Sequence, residues 1–389
     1  LRTTKETRRI LVLTLSFGSG HVRAAHAIAA ELKRRAPQTD VRVLDALAEC
    51  RLLFRAFYVW PYWAMVRRAP ALWKRFFERR VSRKHEQTAP AWAFRYGCRE
   101  VFDEIREFKP DTIVAAEVAA CEMAVIAKRE GLTSARIINV ITDHEAEPVW
   151  VKPEVDGFMV ADERVRDQLC KWGAAPEKII VSGIPTDAAF STAHDAFATR
   201  EQFGIEDDLP LVLLMGGGEG PTRMDVIAAR LSKSDVPMHV VAIAGRDARV
   251  HRRLNRIRSN GKVNLHVLGW TEDVARLMQA ASVLITKPGG LTLAEASQCG
   301  LPVVMFNGIP GPETVNAERF ASMGAGIITQ DVSETVSAVE NLLRDERVRA
   351  AMSLRSRQLA RPDAASCVAR LALGERDKDV LKTPQRMTA

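Results

Sequence analysis

No stretch of the sequence approaches the roughly 18 consecutive apolar residues that a bilayer-spanning helix needs, so no segment reads as transmembrane. The apolar run at 10–15 is shorter than a secretory signal core and reads as a buried first strand. Cysteine is sparse. Cys50, Cys98, Cys121, Cys170, Cys299 and Cys367 form no CxxC pair and have no clustered histidines beside them, which excludes a zinc site of familiar spacing and a disulfide-stapled module. They read as reduced thiols of a cytosolic protein, most of them in the core. Glycine (23) and proline (18) are too few in 389 residues for a fibrous or low-complexity chain. What is there, 47% hydrophobic and 27% charged residues, is the composition of a folded water-soluble protein, and the length suits two domains.

The net charge of +8 is unevenly spread. Residues 51–99 hold 12 basic side chains against two acidic ones, leaving 44 basic and 46 acidic elsewhere. The basic residues include Arg67, Arg68, Lys74 and Arg75, and they are interleaved with Trp60, Trp63, Trp73, Trp92, all three tyrosines and five phenylalanines. Three readings suit this mixture. It is an ordinary helical layer with snorkelling arginines, an anionic membrane surface where rings settle at the headgroups, or a single-stranded nucleic acid site where rings stack on bases.

Elsewhere short β-branched runs alternate with helical stretches, the pattern of a parallel sheet flanked by helices. Strands are predicted at 10–15, 41–44, 112–115, 137–141, 158–160 and 179–181, then at 211–215, 239–244, 263–268, 283–285, 302–306 and 326–329. The expected architecture is α/β, with two doubly wound domains: 1–188, a linker at 189–209, a second domain at 210–360, and a C-terminal helix and polar tail at 361–389. Open α/β sheets bind ligands at the carboxyl ends of their strands, which predicts a cleft between the halves.

Glycine-rich turns follow several of these strands. Ser16-Phe17-Gly18-Ser19-Gly20-His21 opens the first helix, so Gly18 and Gly20 allow close backbone approach and free amides face an anion. Arg23 stands where a dinucleotide fingerprint needs its third glycine, and the lysine of a phosphate-binding P-loop is missing. His21 at a helix start is disfavoured as a cation, which suits a proton acceptor, although a structural histidine fits the same place. In the second half, Gly217 and Gly218 lie in a turn after a strand, and Gly289 and Gly290 expose helix amides to a diphosphate. Glu295 lies on the helix that follows, placed for ribose hydroxyls, against the alternative of a solvated helix residue. Gly245-Arg246, Gly269-Trp270 and the run Gly308 to Asn316, which holds Glu313, also fall just after strands.

Taken together, these segments resemble glycosyltransferase family 28, close to the processive diacylglycerol glycosyltransferases and monogalactosyldiacylglycerol synthase. The similarity is carried by Gly18-Ser19-Gly20-His21-Val22, Val140-Ile141-Thr142-Asp143, Val149-Trp150-Val151, Ser182-Gly183-Ile184-Pro185, Lys287-Pro288-Gly289-Gly290-Leu291-Thr292, Glu295-Ala296 and Asn316-Ala317. It spans roughly residues 9 to 355.

The resemblance implies the two-domain GT-B fold and inverting transfer of a hexose, glucose or galactose, from a UDP-sugar, with no metal or other cofactor required. It implies that His21 is the base for the acceptor hydroxyl, with Gly18, Gly20 and Asp143 in the acceptor loops. Gly269 and Trp270 would hold uracil, Gly289, Gly290, Leu291 and Thr292 the diphosphate, and Glu295 the ribose, while Glu313 and Asn316 would face the sugar or diphosphate. Pro312 occupies a position where the family usually has glutamine, which removes an amide able to bond sugar hydroxyls. The implied acceptor is diacylglycerol or its own glycosylated product. The enzyme would then sit in the cytoplasm, peripheral on the inner face of the plasma membrane, and meet an anionic membrane through residues 51–99, with no nucleic acid partner. Two alternatives share these residues: transfer to a polyprenyl-diphosphate cell-wall lipid, and a non-catalytic nucleotide or nucleic-acid binder.

Overall fold

The structure, a computed structural model, describes residues 7–82, 87–216, 223–306 and 308–375. Among the described residues, twelve strands form two parallel sheets of six. The first contains β1 (Arg9–Thr14), β2 (Asp40–Asp45), β3 (Thr112–Ala115), β4 (Arg136–Val140), β5 (Gly157–Val160) and β6 (Ile179–Val181), in the order β2-β1-β3-β4-β5-β6. The second contains β7 (Leu211–Met215), β8 (Met238–Ile243), β9 (Val263–Leu268), β10 (Val283–Thr286), β11 (Val303–Met305) and β12 (Gly326–Ile328), in the order β12-β11-β10-β7-β8-β9. Each predicted strand is present, with ends moved by at most two residues. The sequence reads so clearly because a parallel strand covered by helices on both faces is apolar on both, as the fully buried β3, β7 and β8 show.

In both sheets the order reverses beside the first strand of the set, at β1/β3 and at β7/β10. Such a switch point splays the two following loops apart and opens a crevice at the carboxyl ends of the strands. In the first sheet those loops precede the helices Ser19–Arg35 and Val118–Arg129. In the second, the loop after β10 leads into the helix Gly290–Cys299, while Gly217 and Gly218 after β7 lie outside the described residues.

The chain divides into two compact units, residues 1–65, 75–187 and 363–389 in one, 66–74 and 188–362 in the other. The helix Ala364–Ala372 therefore belongs with the first sheet, although it follows the second in sequence. It packs on Ser19–Arg35, buries Val368 and Ala369 against the layer of Ile10, Val12 and Ile28, and its Ala372 carbonyl accepts the Thr112 hydroxyl at 3.2 Å. The stretch 189–209 contains the helix Ala196–Gln202, capped by the Asp195 carboxylate.

The basic, aromatic segment folds into the helices Leu52–Arg68, Pro70–Ser82, Ala91–Gly97 and Arg99–Phe108. One cysteine reading is corrected here: Cys50 and Cys98 are joined in a disulfide, their Cα atoms 4.4 Å apart, where free thiols were expected. Tertiary folding brings together two residues 48 apart in sequence, at the roots of the first and last of these helices. The Gly97 carbonyl accepts the Arg51 amide at 2.8 Å beside the bond, and the Phe54 side chain packs against Gly97, leaving no room for a Cβ there. Among the remaining cysteines Cys121 is buried and Cys170, Cys299 and Cys367 are half-buried.

Candidate active site

At the first switch point, the helix Ser19–Arg35 starts at Gly18, whose extended backbone supplies no side-chain cap and whose missing side chain leaves open space. Among the described residues, six other helices are capped by acidic side chains, from Glu117, Asp162, Asp195, Asp247, Asp331 and Asp345. The first-turn amides after Gly18, at Ser19 and Gly20, carry no such cap.

His21 stands on this turn, half-buried, with Nδ1 2.8 Å from the Thr142 hydroxyl just beyond β4. Burial lowers its pKa below the ordinary imidazole value, opposed by the negative charge of Asp143 and by the Ala116 backbone beyond β3. The shift has the direction expected from the helix terminus, but its largest cause is desolvation. The structure thus gathers His21, Gly18, Gly20 and Asp143 where three loops end. The loops after β3 and β4 also hold two residues that sequence reading did not single out. One is Thr142, the residue before Asp143 in the quoted motif. The other is Glu117, which caps the helix Val118–Arg129 through the amides of Ala119 and Ala120 at 2.7 and 3.2 Å, and whose carboxyl burial pushes up to about 7.

In the second unit, Gly289 precedes the helix Gly290–Cys299, again without a side-chain cap, so the amides of Gly290, Leu291 and Thr292 form a bare first turn. Lys287 stands at its root, with Nζ 2.8 Å from Glu313 Oε1, while Glu313 Oε2 accepts the Ile309 amide at 2.7 Å. Asn316 donates from Nδ2 to the Pro288 carbonyl at 3.2 Å. These contacts lock the turn after β10 to the helix Pro312–Ser322. Pro312 is the first residue of that helix, where a missing N–H costs nothing, and Gly311 before it takes a φ of 107° that only glycine adopts easily.

Two of the expected donor residues have a structural place in this geometry. Asn316 is wholly buried and Glu313 is held by Lys287 and Ile309, so both support the turn on which the expected donor residues stand. Lys287, absent from the expected donor residues, is the cation at the turn; its place directly before Pro-Gly-Gly was the available signal. Glu295 is only 2% exposed, its charge reaching Cys299 one helical turn on, and offers a ribose little surface. Beyond β8 and β9, the Arg246 guanidinium lies 4.3 Å over the Trp270 ring, and that ring remains 53% exposed, a flat stacked platform at the same end of the sheet as Gly269.

The basic, aromatic segment divides by face. Along Leu52–Arg68, Leu53, Phe57 and Trp60 are 61%, 82% and 61% exposed, and they share one side with Pro61, Ala64, Arg67 and Arg68, at helical spacing. Lys74, Arg75, Leu72 and Phe76 are exposed on the next helix. Trp63 is half-buried, edge-on to Tyr62. Trp73, expected at a membrane surface, is corrected: it is 6% exposed and its indole donates to the Pro310 carbonyl at 2.8 Å, because burying an indole requires a partner for its N–H. Among the described residues no helix is long and apolar enough to cross a membrane.

Residues 21–186 match the family model for monogalactosyldiacylglycerol (MGDG) synthase, and residues 197–359 that for glycosyl transferases group 1. A processive diacylglycerol beta-glucosyltransferase of Bacillus mycoides is 26% identical over 367 residues, covering 94% of each chain. Among solved structures, the chain is similar to MurG of Acinetobacter baumannii, with a TM-score of 0.60 and 16% identity over 94% of this chain and 99% of that one. It is also similar to Anabaena HepE in complex with UDP-glucose, with a TM-score of 0.55 and 16% identity over 94% of this chain and 99% of that one. At these identities the structural likeness is one of fold, the GT-B arrangement of two α/β units.

Proposed function

We propose, for a chain that belongs to the family 28-like glycosyltransferases, that it moves a hexose from a UDP-sugar to diacylglycerol at a membrane surface. The observation that carries this reading is the half-buried His21, with Nδ1 2.8 Å from the Thr142 hydroxyl, at the switch point of the domain that matches MGDG synthase. The other unit, by itself, carries a bare helix terminus with Lys287 at its root, suited to a diphosphate.

In this reading the acceptor oxygen attacks the anomeric carbon, the bond from that carbon to the UDP oxygen breaks, and the configuration inverts. His21 receives the acceptor's proton as the new bond forms. The negative charge that develops on the departing diphosphate is met by Lys287 and the amides of Gly290 to Thr292, so the scheme needs no metal. The Arg246–Trp270 platform and Gly269 suit a uracil ring, and Glu295 is left a supporting place in the helix.

The curated relative's name favours glucose as the sugar and repeated transfer as the mode. The membrane part of the reading rests on Leu53, Phe57 and Trp60, an apolar face bordered by Arg67 and Arg68, which suits lipid tails beneath anionic headgroups. The enzyme acts in this reading as a peripheral protein on the cytoplasmic leaflet.

The test is to incubate the full-length protein with anionic vesicles containing diacylglycerol, offer UDP-glucose and UDP-galactose separately, and analyse the extracted lipid by mass spectrometry. Hexosyl-diacylglycerol from one donor is the expected product, and its loss in His21→Ala with UDP affinity intact is the expected control. No glycolipid despite UDP binding would overturn the acceptor, and a polyprenyl-diphosphate lipid would then be offered in its place. Full turnover by His21→Ala would overturn the base.

A further inference from the structure

The bond between His21 and Thr142 has a direction that the chemistry decides. A threonine hydroxyl can donate or accept, and a neutral imidazole carries one N–H and one bare nitrogen. Were Thr142 to donate to Nδ1, the hydrogen of the ring would sit on Nε2, and the base would have no lone pair left for an acceptor. Were it to accept, Nδ1 would carry the hydrogen and Nε2 would be bare.

Resting on the reading of His21 as the base, we propose that Thr142 is a positioning residue, whose hydroxyl accepts the Nδ1 hydrogen and leaves Nε2 to take the acceptor's proton. Thr142 is suited to this. It is 5% exposed, so water competes little for the bond, and it is anchored by the neighbouring Ile141 amide, which bonds the Met159 carbonyl of β5 at 2.9 Å. The ring is thereby tied across 121 residues of sequence, from the helix after β1 to the end of β4. An imidazole held at one nitrogen by a fixed acceptor keeps its tautomer and its aim, which is the usual task of the third group beside a general base.

The charges around the ring are few. Asp143, in the loop after β4, acts on it directly, and the Ala116 backbone carbonyl also accepts from the ring, sharing the Nδ1 hydrogen with Thr142 in the proposed tautomer. Glu147 lies further along that loop, where it feels the charge of Asp143 and is paired at 2.7 Å with Arg80 of the helix Pro70–Ser82. Neither acidic residue replaces Thr142. The hydroxyl accepts from Nδ1–H in both ring forms, but the bond from the charged imidazolium is the stronger, so loss of the hydroxyl favours the deprotonated ring.

The experiment compares Thr142→Val and Thr142→Ser with the parent protein in the vesicle assay across pH. Thr142→Val should lower kcat by about tenfold or more with the KM for UDP-sugar unchanged, and should move the acid limb of kcat/KM to lower pH. Thr142→Ser should restore both. A packing role alone would leave the acid limb in place, so an unmoved limb in active Thr142→Val overturns the proposal. The nitrogen-15 spectrum of His21 in the unmutated protein tests the same point without a substitution: hydrogen on Nδ1 supports it, and hydrogen on Nε2 overturns it. Separately, full turnover by His21→Ala would overturn the base itself, so the two failures are distinct.

Discussion

Replacing Phe57 and Trp60 together by alanine tests the membrane face quantitatively. Both rings are mostly exposed, 82% and 61%, so neither change empties a core and the fold should survive. With about 200 Å² available on each large ring, those exposures leave roughly 150 Å² per residue outside the protein. If about half of that area enters the headgroup boundary, at about 25 cal/mol per Å² the pair contributes about 3 kcal/mol beyond what alanine retains. The expected result is a fall of roughly 100-fold in partitioning onto vesicles of mixed phosphatidylcholine and phosphatidylglycerol, read by co-sedimentation. The arginines at the end of the same face predict a further, separable fall as salt rises from low to physiological levels. Activity on diacylglycerol in vesicles should drop with partitioning, while UDP affinity and thermal unfolding stay put. A double variant that binds vesicles as the parent does would refute the reasoning, because no other described face offers three large apolar residues so exposed along one helix.

Three further outcomes follow from contacts elsewhere. Lys287→Met removes the cation at the diphosphate turn and the partner of Glu313, so the KM for UDP-sugar should rise by about tenfold or more, as product-inhibition and initial-rate measurements would show; an unchanged KM would remove Lys287 from the donor site. Glu117, whose carboxyl is pushed up to about 7 in the folded chain, keeps its proton there after the unfolded chain has lost its own near 4.5. Its stabilising contribution is therefore full below about pH 4.5 and is lost as pH rises through about 7. Glu117→Gln should accordingly stabilise more at pH 8 than at pH 5, by up to about 3 kcal/mol in urea unfolding, and equal effects at both pH values would contradict that sign. Reducing Cys50–Cys98 frees a loop spanning 48 residues, which on chain entropy lowers stability by at most about 4 kcal/mol, and a melting temperature indifferent to dithiol would show that the bond does not form.

How much could be read before folding varies with sequence distance. All twelve strands were legible, because a strand buried on both faces announces itself as a short apolar run and the helices between follow from periodicity. The glycine turns were legible too, since Gly18 and Gly289 each fall directly between a strand and a helix. The partners of those turns were not. Thr142 is 121 residues from His21 and Glu313 is 26 from Lys287, and nothing local marks either pair.

By itself, then, the sequence determined two α/β units, their order of strands and helices, the position of each glycine turn, and the concentration of rings and arginines in 51–99, since all of these depend on neighbours in the chain. Tertiary structure decided which of those residues face outward and which hold others in place. It left Phe57 and Trp60 exposed while burying Trp73 against a carbonyl, it turned Asn316 and Glu313 into supports of the turn after β10, it paired Cys50 with Cys98, and it returned the last helix to the first sheet. The reason is common to them all: burial and hydrogen-bond satisfaction are settled by what lies across the core, and residues far apart in sequence supply it.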